Sequence, residues 1–481
     1  MTMRLAKFPL FAALSAALAL IVAGCGTNPA TGRPMMSLVS PQEEQRTGRE
    51  MHPQILREFG RYPDERVQAY VTRVGQSLVS RTELPNAQWT FTVLDSPIVN
   101  AFALPGGYVY ITRGLMTLAQ SEAELASVLG HEMGHVTARH AAQRQTAALG
   151  AGLLGALVGV LTGSGELAQA GTGTGQALVA SYSRDQEFEA DDLGIRYTGR
   201  TGYDVHAASA FLNRMGDHSR LEAAMMGNPG RVDQYNIMST HPRTPERVAR
   251  AAREAQASGA SGTRVERDAY LAAIDGMIYG DSAEQGFVRG QRFIHPTMGF
   301  AFDAPAGYRL FNRADSVIGQ SQNGGILMVD SQPGTGSPAR LIERTSQGAA
   351  QNIQPTTING FDAATGTVRS MVNNRPMEMR IVAIRYDQNT VFRFRSVHAG
   401  GGQNMAADRA AASFHRISGG EAAGLQPYRV RVVTVQPGDT VASLAGRMPF
   451  ADFREDRFRI LNGMSNADRT LSPGQRVKII Q

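Results

Sequence analysis

The sequence predicts an α+β protein built from several domains, mostly helical in its first half. Three observations predict this. Its 481 residues exceed one ordinary domain and suggest two to four. Runs with helical spacing and clear start signals fill the first 258 residues. From about Gln291 the text changes to short alternating runs separated by glycine, proline and asparagine turns. The net charge of +6 is modest, and Lys and Arg are scattered, so no nucleic-acid partner is expected.

Residues 1–24 read as a targeting segment outside the fold. Arg4 and Lys7 form a basic start, Phe8 to Val22 is apolar, and Val22-Ala23-Gly24-Cys25 closes it. The apolar stretch is short for a membrane span. Cys25 is the only cysteine, so neither an internal disulfide nor a structural Cys-zinc site is expected. Asn28 to Pro34 reads as a Pro/Gly tether without regular structure.

Ser40-Pro41-Gln42-Glu43 starts one helix, and Asp64 opens another carrying Val67, Tyr70, Val71, Val74 and Leu78 at helical spacing. Gln88 to Leu94 alternates like a strand. Asn100 to Thr112 holds two β-like runs around Pro105-Gly106-Gly107, a hairpin with Pro105 marking an edge. Such an edge, at Asn100, Ala101 and Phe102, either binds an extended peptide as an added strand or is plain scaffold.

Ser121 followed by Glu124 signals the start of a helix that carries His131-Glu132-Met133-Gly134-His135. Residues four apart share a helix face, so both imidazoles can hold one zinc ion, with Glu132 beside a water. Among chains with ten histidines, chance yields this pattern in roughly one in a hundred. Leu125, Val128 and Leu129 place the helix in a core, where polar rings need partners. Residues 146–180 are apolar and then rich in Gly, Thr and Ser, which suits either a mobile lid or a buried helical pair.

In Ser183 to Asp191, Glu187 and Asp191 lie four apart. A catalytic zinc takes a third protein ligand and keeps an open position, and its histidines lean on carboxylates. Glu187 is therefore expected as the third ligand and Asp191 as the partner that orients a histidine. His52, His140, His206, His218, His295, His398 and His415 fit no ligand pattern.

These elements resemble the zinc metallopeptidases that include the CAAX prenyl endopeptidase, HtpX and the periplasmic protease BepA. The matching text is His131 to His135, the segment with Arg184 to Asp191, Ser239-Thr240-His241-Pro242 with Arg247, and the hairpin Asn100 to Gly107. The resemblance implies a mostly helical gluzincin domain with a small antiparallel sheet over residues 25–260. It also implies a place near the zinc for His241, either supporting an oxyanion or capping the metal. Arg247 is then expected to position substrate or support the His241 loop, and Arg184 to lie at the site. Val-Ala-Gly-Cys resembles a bacterial lipobox, which implies a lipid on Cys25 and an outer-membrane lipoprotein facing the periplasm of a Gram-negative cell.

Residues 261–290 read as a helical connector, and residues 291–417 as an α+β domain without a catalytic constellation. Residues 425–481 resemble a LysM module of βααβ order through Gln436-Pro437-Gly438-Asp439-Thr440, Leu461-Asn462-Gly463 and Pro473-Gly474-Gln475. Such modules bind glycans such as peptidoglycan; a purely structural module is the alternative. The expected function is one-ion zinc endopeptidase activity on misfolded or misassembled envelope proteins. The alternative is a non-proteolytic assembly factor or a peptidoglycan-tethered chaperone with a structural zinc.

Overall fold

Several helices begin where the sequence supplies a cap. The structure, a computed structural model, describes residues 25–148, 182–225, 241, 245–257, 262–313, 316–321, 323–372, 375–398, 405–465 and 470–481. The expected leader, and most of the expected lid at 146–180, lie outside these residues. No helix among the described residues is long and apolar enough to cross a membrane.

The described residues fall into two compact units. One comprises the chain up to Glu222, Gly230–Met277 and Val430–Gln481. The other comprises Ala223–Pro229 and Ile278–Arg429.

The first unit opens with a hairpin, β1 (Cys25–Thr27) against β2 (Pro34–Met36). A tether without regular structure was the expectation for Asn28 to Pro34; the structure makes it an ordered turn that Asn28 closes, with Pro34 already in β2. Its carbonyl accepts from Gly32 N, its amide donates to Arg33 O, and its Oδ1 accepts from Ala30 N. Helix α1 (Pro41–Phe59) has a complete Ser40/Glu43 capping box, and Asp64 caps α2 (Glu65–Val79) through the Arg66 and Val67 amides.

Strands β3 (Thr90–Leu94), β4 (Ala101–Leu104) and β5 (Tyr108–Thr112) form a sheet ordered β3-β5-β4. The β4–β5 pair is the expected antiparallel hairpin. β3 runs parallel to β5, because the chain crosses over before the hairpin begins, so the sheet is mixed rather than wholly antiparallel. The two outer edges differ. Gln68 fills the β3 edge by donating to Phe91 O (2.7 Å) and accepting from Val93 N (3.0 Å), as a neighbouring strand would. β4 is the other edge, and it lies beside the helix that follows.

Short α3 (Arg113–Leu118) leads into α4 (Glu122–Thr137). Ser121 Oγ accepts from Glu124 N as the sequence predicts. The Glu124 carboxylate reaches Gln120 N rather than completing the box, and it also pairs with Arg214. Helix α5 (Arg184–Arg200), with a Ser183/Gln186 capping box, packs on α4; α6 (Ala207–Met225), α7 (Pro245–Ala257) and α8 (Arg267–Ile274) follow.

In the second unit the expected helical connector gives way to strands after α8, because Ile278–Tyr279 and Phe287–Arg289 are β6 and β7. β8 (Arg292–His295) and β9 (Phe300–Asp303) continue a four-stranded sheet with β7 and β17 (His415–Arg416). A seven-stranded antiparallel sheet is built from β10 (Tyr308–Asn312), β11 (Ser316–Ser321), β12 (Ile326–Pro333), β13 (Ala350–Ile358), β14 (Phe361–Val372), β15 (Arg375–Arg385) and β16 (Thr390–His398), in the order β10-β11-β12-β16-β15-β14-β13. Its core gathers Phe300, Phe302, Phe392, Phe394 and Phe414.

The last segment is a βααβ module: β18 (Tyr428–Thr434), Val441–Gly446, Arg454–Leu461 and β19 (Arg476–Ile480), with β18 and β19 antiparallel. It was expected as a separate unit. Instead Val430–Gln481 groups with the helical unit, and the reason is visible at β19. Alternate strand residues face opposite sides, yet Val477, Lys478, Ile479 and Ile480 are all buried. Lys478 Nζ donates to Thr117 O and Ala119 O at 2.7 Å each, the carbonyls that end α3, and Gln120 Nε2 donates to Leu461 O. Burial pulls the Lys478 pKa far down, and the carbonyl cage offsets part of that cost.

Candidate metal centre

The site begins with two helices whose backbones nearly touch. A Cβ on Gly194 would lie 2.9 Å from His131 N, and one on Gly134 would lie 3.0 Å from Ala190 O. Only glycine permits that approach, so α4 and α5 come close enough for α5 carboxylates to reach α4 imidazoles. His131, His135, Glu187 and His241 then converge, one donor atom from each, all within 4.8 Å of one another.

The closest approaches are His131 Nε2 to His135 Nε2 at 3.0 Å, His131 Nε2 to His241 Nδ1 at 3.3 Å, and His241 Nδ1 to Glu187 Oε1 at 2.9 Å. His135 Nε2 lies 3.5 Å from the same Glu187 oxygen. Ligand atoms around a tetrahedral zinc, with bonds of about 2.0–2.1 Å, stand roughly 3.3 Å apart. Donor type, number and spacing all fit that ion.

The ring of His131 is oriented from behind. His131 Nδ1 meets Asp191 Oδ1 at 2.9 Å, and Arg247 grips both Asp191 oxygens at 2.8 Å while its Nη1 lies 2.5 Å from Glu187 Oε2. Burial opposes ionisation of Asp191, but Arg247 and His131 outweigh it and hold the carboxyl well below its usual range. Glu187 follows the same logic, with His241 and Arg247 outweighing burial. Burial pushes His135 far below the usual imidazole range, into the neutral form a metal requires.

Glu132 takes no part in the donor set. It is buried, burial raises its pKa, and its Oε2 has no hydrogen-bond partner among the described residues. His241 Nε2 is 3.7 Å from its other oxygen.

The structure assigns the remaining expected site residues different parts. Arg184 is exposed and pairs with Glu246, because the first turn of α5 points to solvent. Arg247 is buried behind Asp191 and Glu187, so it supports the site and does not face a substrate. Ala101 is buried, and Phe102 stacks on Tyr110 at 4.9 Å, so these side chains serve the core and β4 offers only backbone. Sequence reasoning missed Tyr182, whose ring stacks 3.7 Å from that of His135 beneath the Arg144 guanidinium. It also missed His140, which touches His135.

Residues 65–255 match the model of peptidase family M48. They form a family M48 peptidase domain. Residues 433–479 match the LysM domain model. Beta-barrel assembly-enhancing protease of Escherichia coli is 31% identical over 213 residues, covering 42% of this chain and 42% of that protein. The protein of that name in Yersinia pestis is 34% identical over 160 residues, covering 31% of this chain and 33% of its own. Mitochondrial metalloendopeptidase OMA1 of Schizosaccharomyces pombe is 28% identical over 227 residues, covering 46% of this chain and 63% of that one. The chain thus spans less than half the length of these bacterial relatives. The M48 match contains the entire donor set and its supports Asp191 and Arg247.

Proposed function

We propose that this chain is a zinc-dependent endopeptidase of envelope proteins. The observation that carries the reading is the convergence of His131, His135 and Glu187 beside a buried Glu132 whose Oε2 has no partner among the described residues. When bound, a zinc ion supplies Lewis-acid polarisation and a lowered water pKa. Glu132 then takes a proton from the attacking water and returns it to the leaving amine. An extended substrate adds to the β4 edge, whose backbone is presented next to α4 while Gln68 closes the opposite edge.

His241 supports a resting state. As a fourth donor it completes a closed set, and closed sets are the mark of structural zinc, whereas catalytic sites keep one position open. Activity therefore requires His241 to leave. The same closed set favours a second reading, a non-proteolytic assembly factor with a structural ion. His241→Ala separates them: zinc should stay bound, and casein cleavage should change. Faster cleavage identifies a cap, and a loss of about 10²-fold identifies oxyanion support. No cleavage by wild type or variant, with zinc retained, would favour the second reading.

The relatives' names and the LysM match support a role in envelope protein assembly or quality control, with peptidoglycan as a further partner. The Val-Ala-Gly-Cys text supports a lipid on Cys25 and the outer membrane as the site of action. Cys25→Ser should leave the precursor unlipidated and release the protein from the membrane fraction; unchanged fractionation would remove the anchor from this reading.

A further inference from the structure

The two ligand histidines are supported in different ways. His131 leans directly on Asp191. His135 leans on another histidine: its Nδ1 lies 2.8 Å from His140 Nδ1. His140 Nε2 is 2.9 Å from Glu189 Oε2, and Glu189 Oε1 accepts from Asn28 Nδ2 at 3.2 Å. Only one set of protons satisfies the chain. His135 turns Nε2 to the donor cluster, so its Nδ1–H donates to His140 Nδ1, and His140 Nε2–H donates to Glu189. His140 and Asn28 are both buried.

This contact depends on a break in the helix. In an unbroken helix, His140 would stand about 140° around from His135 and face away. Instead α4 ends at Thr137, and Arg139 takes φ 57°, the left-handed region that side chains rarely adopt. The chain turns there and a new helical run starts at His140. The N-terminal segment holds the turn. Arg139 donates to Glu44 at 2.7 Å and to Val39 O at 2.6 Å, while Leu38 N donates to Thr146 at 2.9 Å.

We infer that His140 is a positioning residue for the metal ligand His135, and that Glu189 and Asn28 complete this support from the N-terminal hairpin. The inference rests on the zinc reading of the site. Its consequence is that the segment directly after Cys25 is part of the metal centre. Metal retention is then tied to the docking of that hairpin.

The test uses the full chain and zinc alone, measured by competition with a chromogenic chelator, with the melting temperature of the metal-free protein taken in parallel. His140→Phe keeps a ring and removes the acceptor. It should weaken zinc binding about 10- to 100-fold, the usual effect of losing such a partner. His140→Gln, whose carbonyl can accept from Nδ1–H, should recover part of that loss. Glu189→Gln and Asn28→Ala should give progressively smaller losses. A general packing defect would lower the metal-free melting temperature equally in the Phe and Gln variants and would not sort zinc affinity in this order. Wild-type zinc affinity in His140→Phe would overturn the inference while leaving the site reading intact. Absence of zinc binding in the wild type would overturn both.

Discussion

Glu132→Gln should leave zinc stoichiometry unchanged and lower casein hydrolysis by at least about 10²-fold, within the 10²–10⁴ range of a lost general base. The two halves of this result come from different geometry. The donor set consists of His131, His135, Glu187 and His241, so removing the charge of Glu132 takes no donor away. Glu132 is buried one position along α4 from His131, with Oε2 unpartnered among the described residues. Burial raises its pKa and moves it toward neutrality, where a base is most effective. The glutamine is nearly isosteric, so packing is preserved and the assay reads chemistry. Elemental analysis and a peptide-cleavage time course, run on the same preparation, check it. Loss of zinc would make Glu132 a ligand, and wild-type cleavage would remove it as the base.

Arg247→Leu should produce the largest change in stability. The guanidinium is buried between Asp191 and Glu187, and its removal leaves Asp191 without its main counter-charge and Glu187 with only its histidine partners. Breaking one partner out of a buried pair costs about 3–5 kcal/mol. In a unit of this size that lowers the melting temperature by on the order of 10 °C. Zinc affinity should fall with it, because Asp191 no longer holds His131 in place. The acid limb of the metal-free protein gives an independent readout. Asp191 has a depressed folded pKa, so its contribution is complete above the unfolded value of about 3.9 and is lost as pH falls through the folded value. Without Arg247 that loss should begin at higher pH. Arg184→Leu, at an exposed pair, is the control and should change stability by less than about 1 kcal/mol. Equal behaviour of the two variants would mean that Arg247 does not carry the site.

The features legible in the text are those that local geometry imposes. His131 and His135 share a face because a helix repeats every 3.6 residues, and Glu187 and Asp191 share one for the same reason. The caps at Ser40, Asp64 and Ser121 were readable from residue type and spacing, and the β4–β5 hairpin from its Pro-Gly-Gly turn. Interactions spanning a few residues are written in order along the chain.

Tertiary structure decided what joins these pieces. Arg184 and Arg247 read alike in sequence, yet one points to solvent and the other is buried behind two carboxylates. His140 matched no ligand spacing because its role depends on a left-handed turn at Arg139, held by Glu44 and by a carbonyl 100 residues away. The Asn28 turn looked like a tether because its partner Glu189 lies 161 residues along the chain. The LysM module looked separate because Lys478 finds its carbonyls 359 and 361 residues earlier. Sequence alone singled out His131, His135 and Glu187 and the helices that carry them, because helix periodicity is a local property. The closure of the metal set by His241 and the support behind His131 and His135 arose only on folding, when distant segments came to share one desolvated space in which polar groups must find partners.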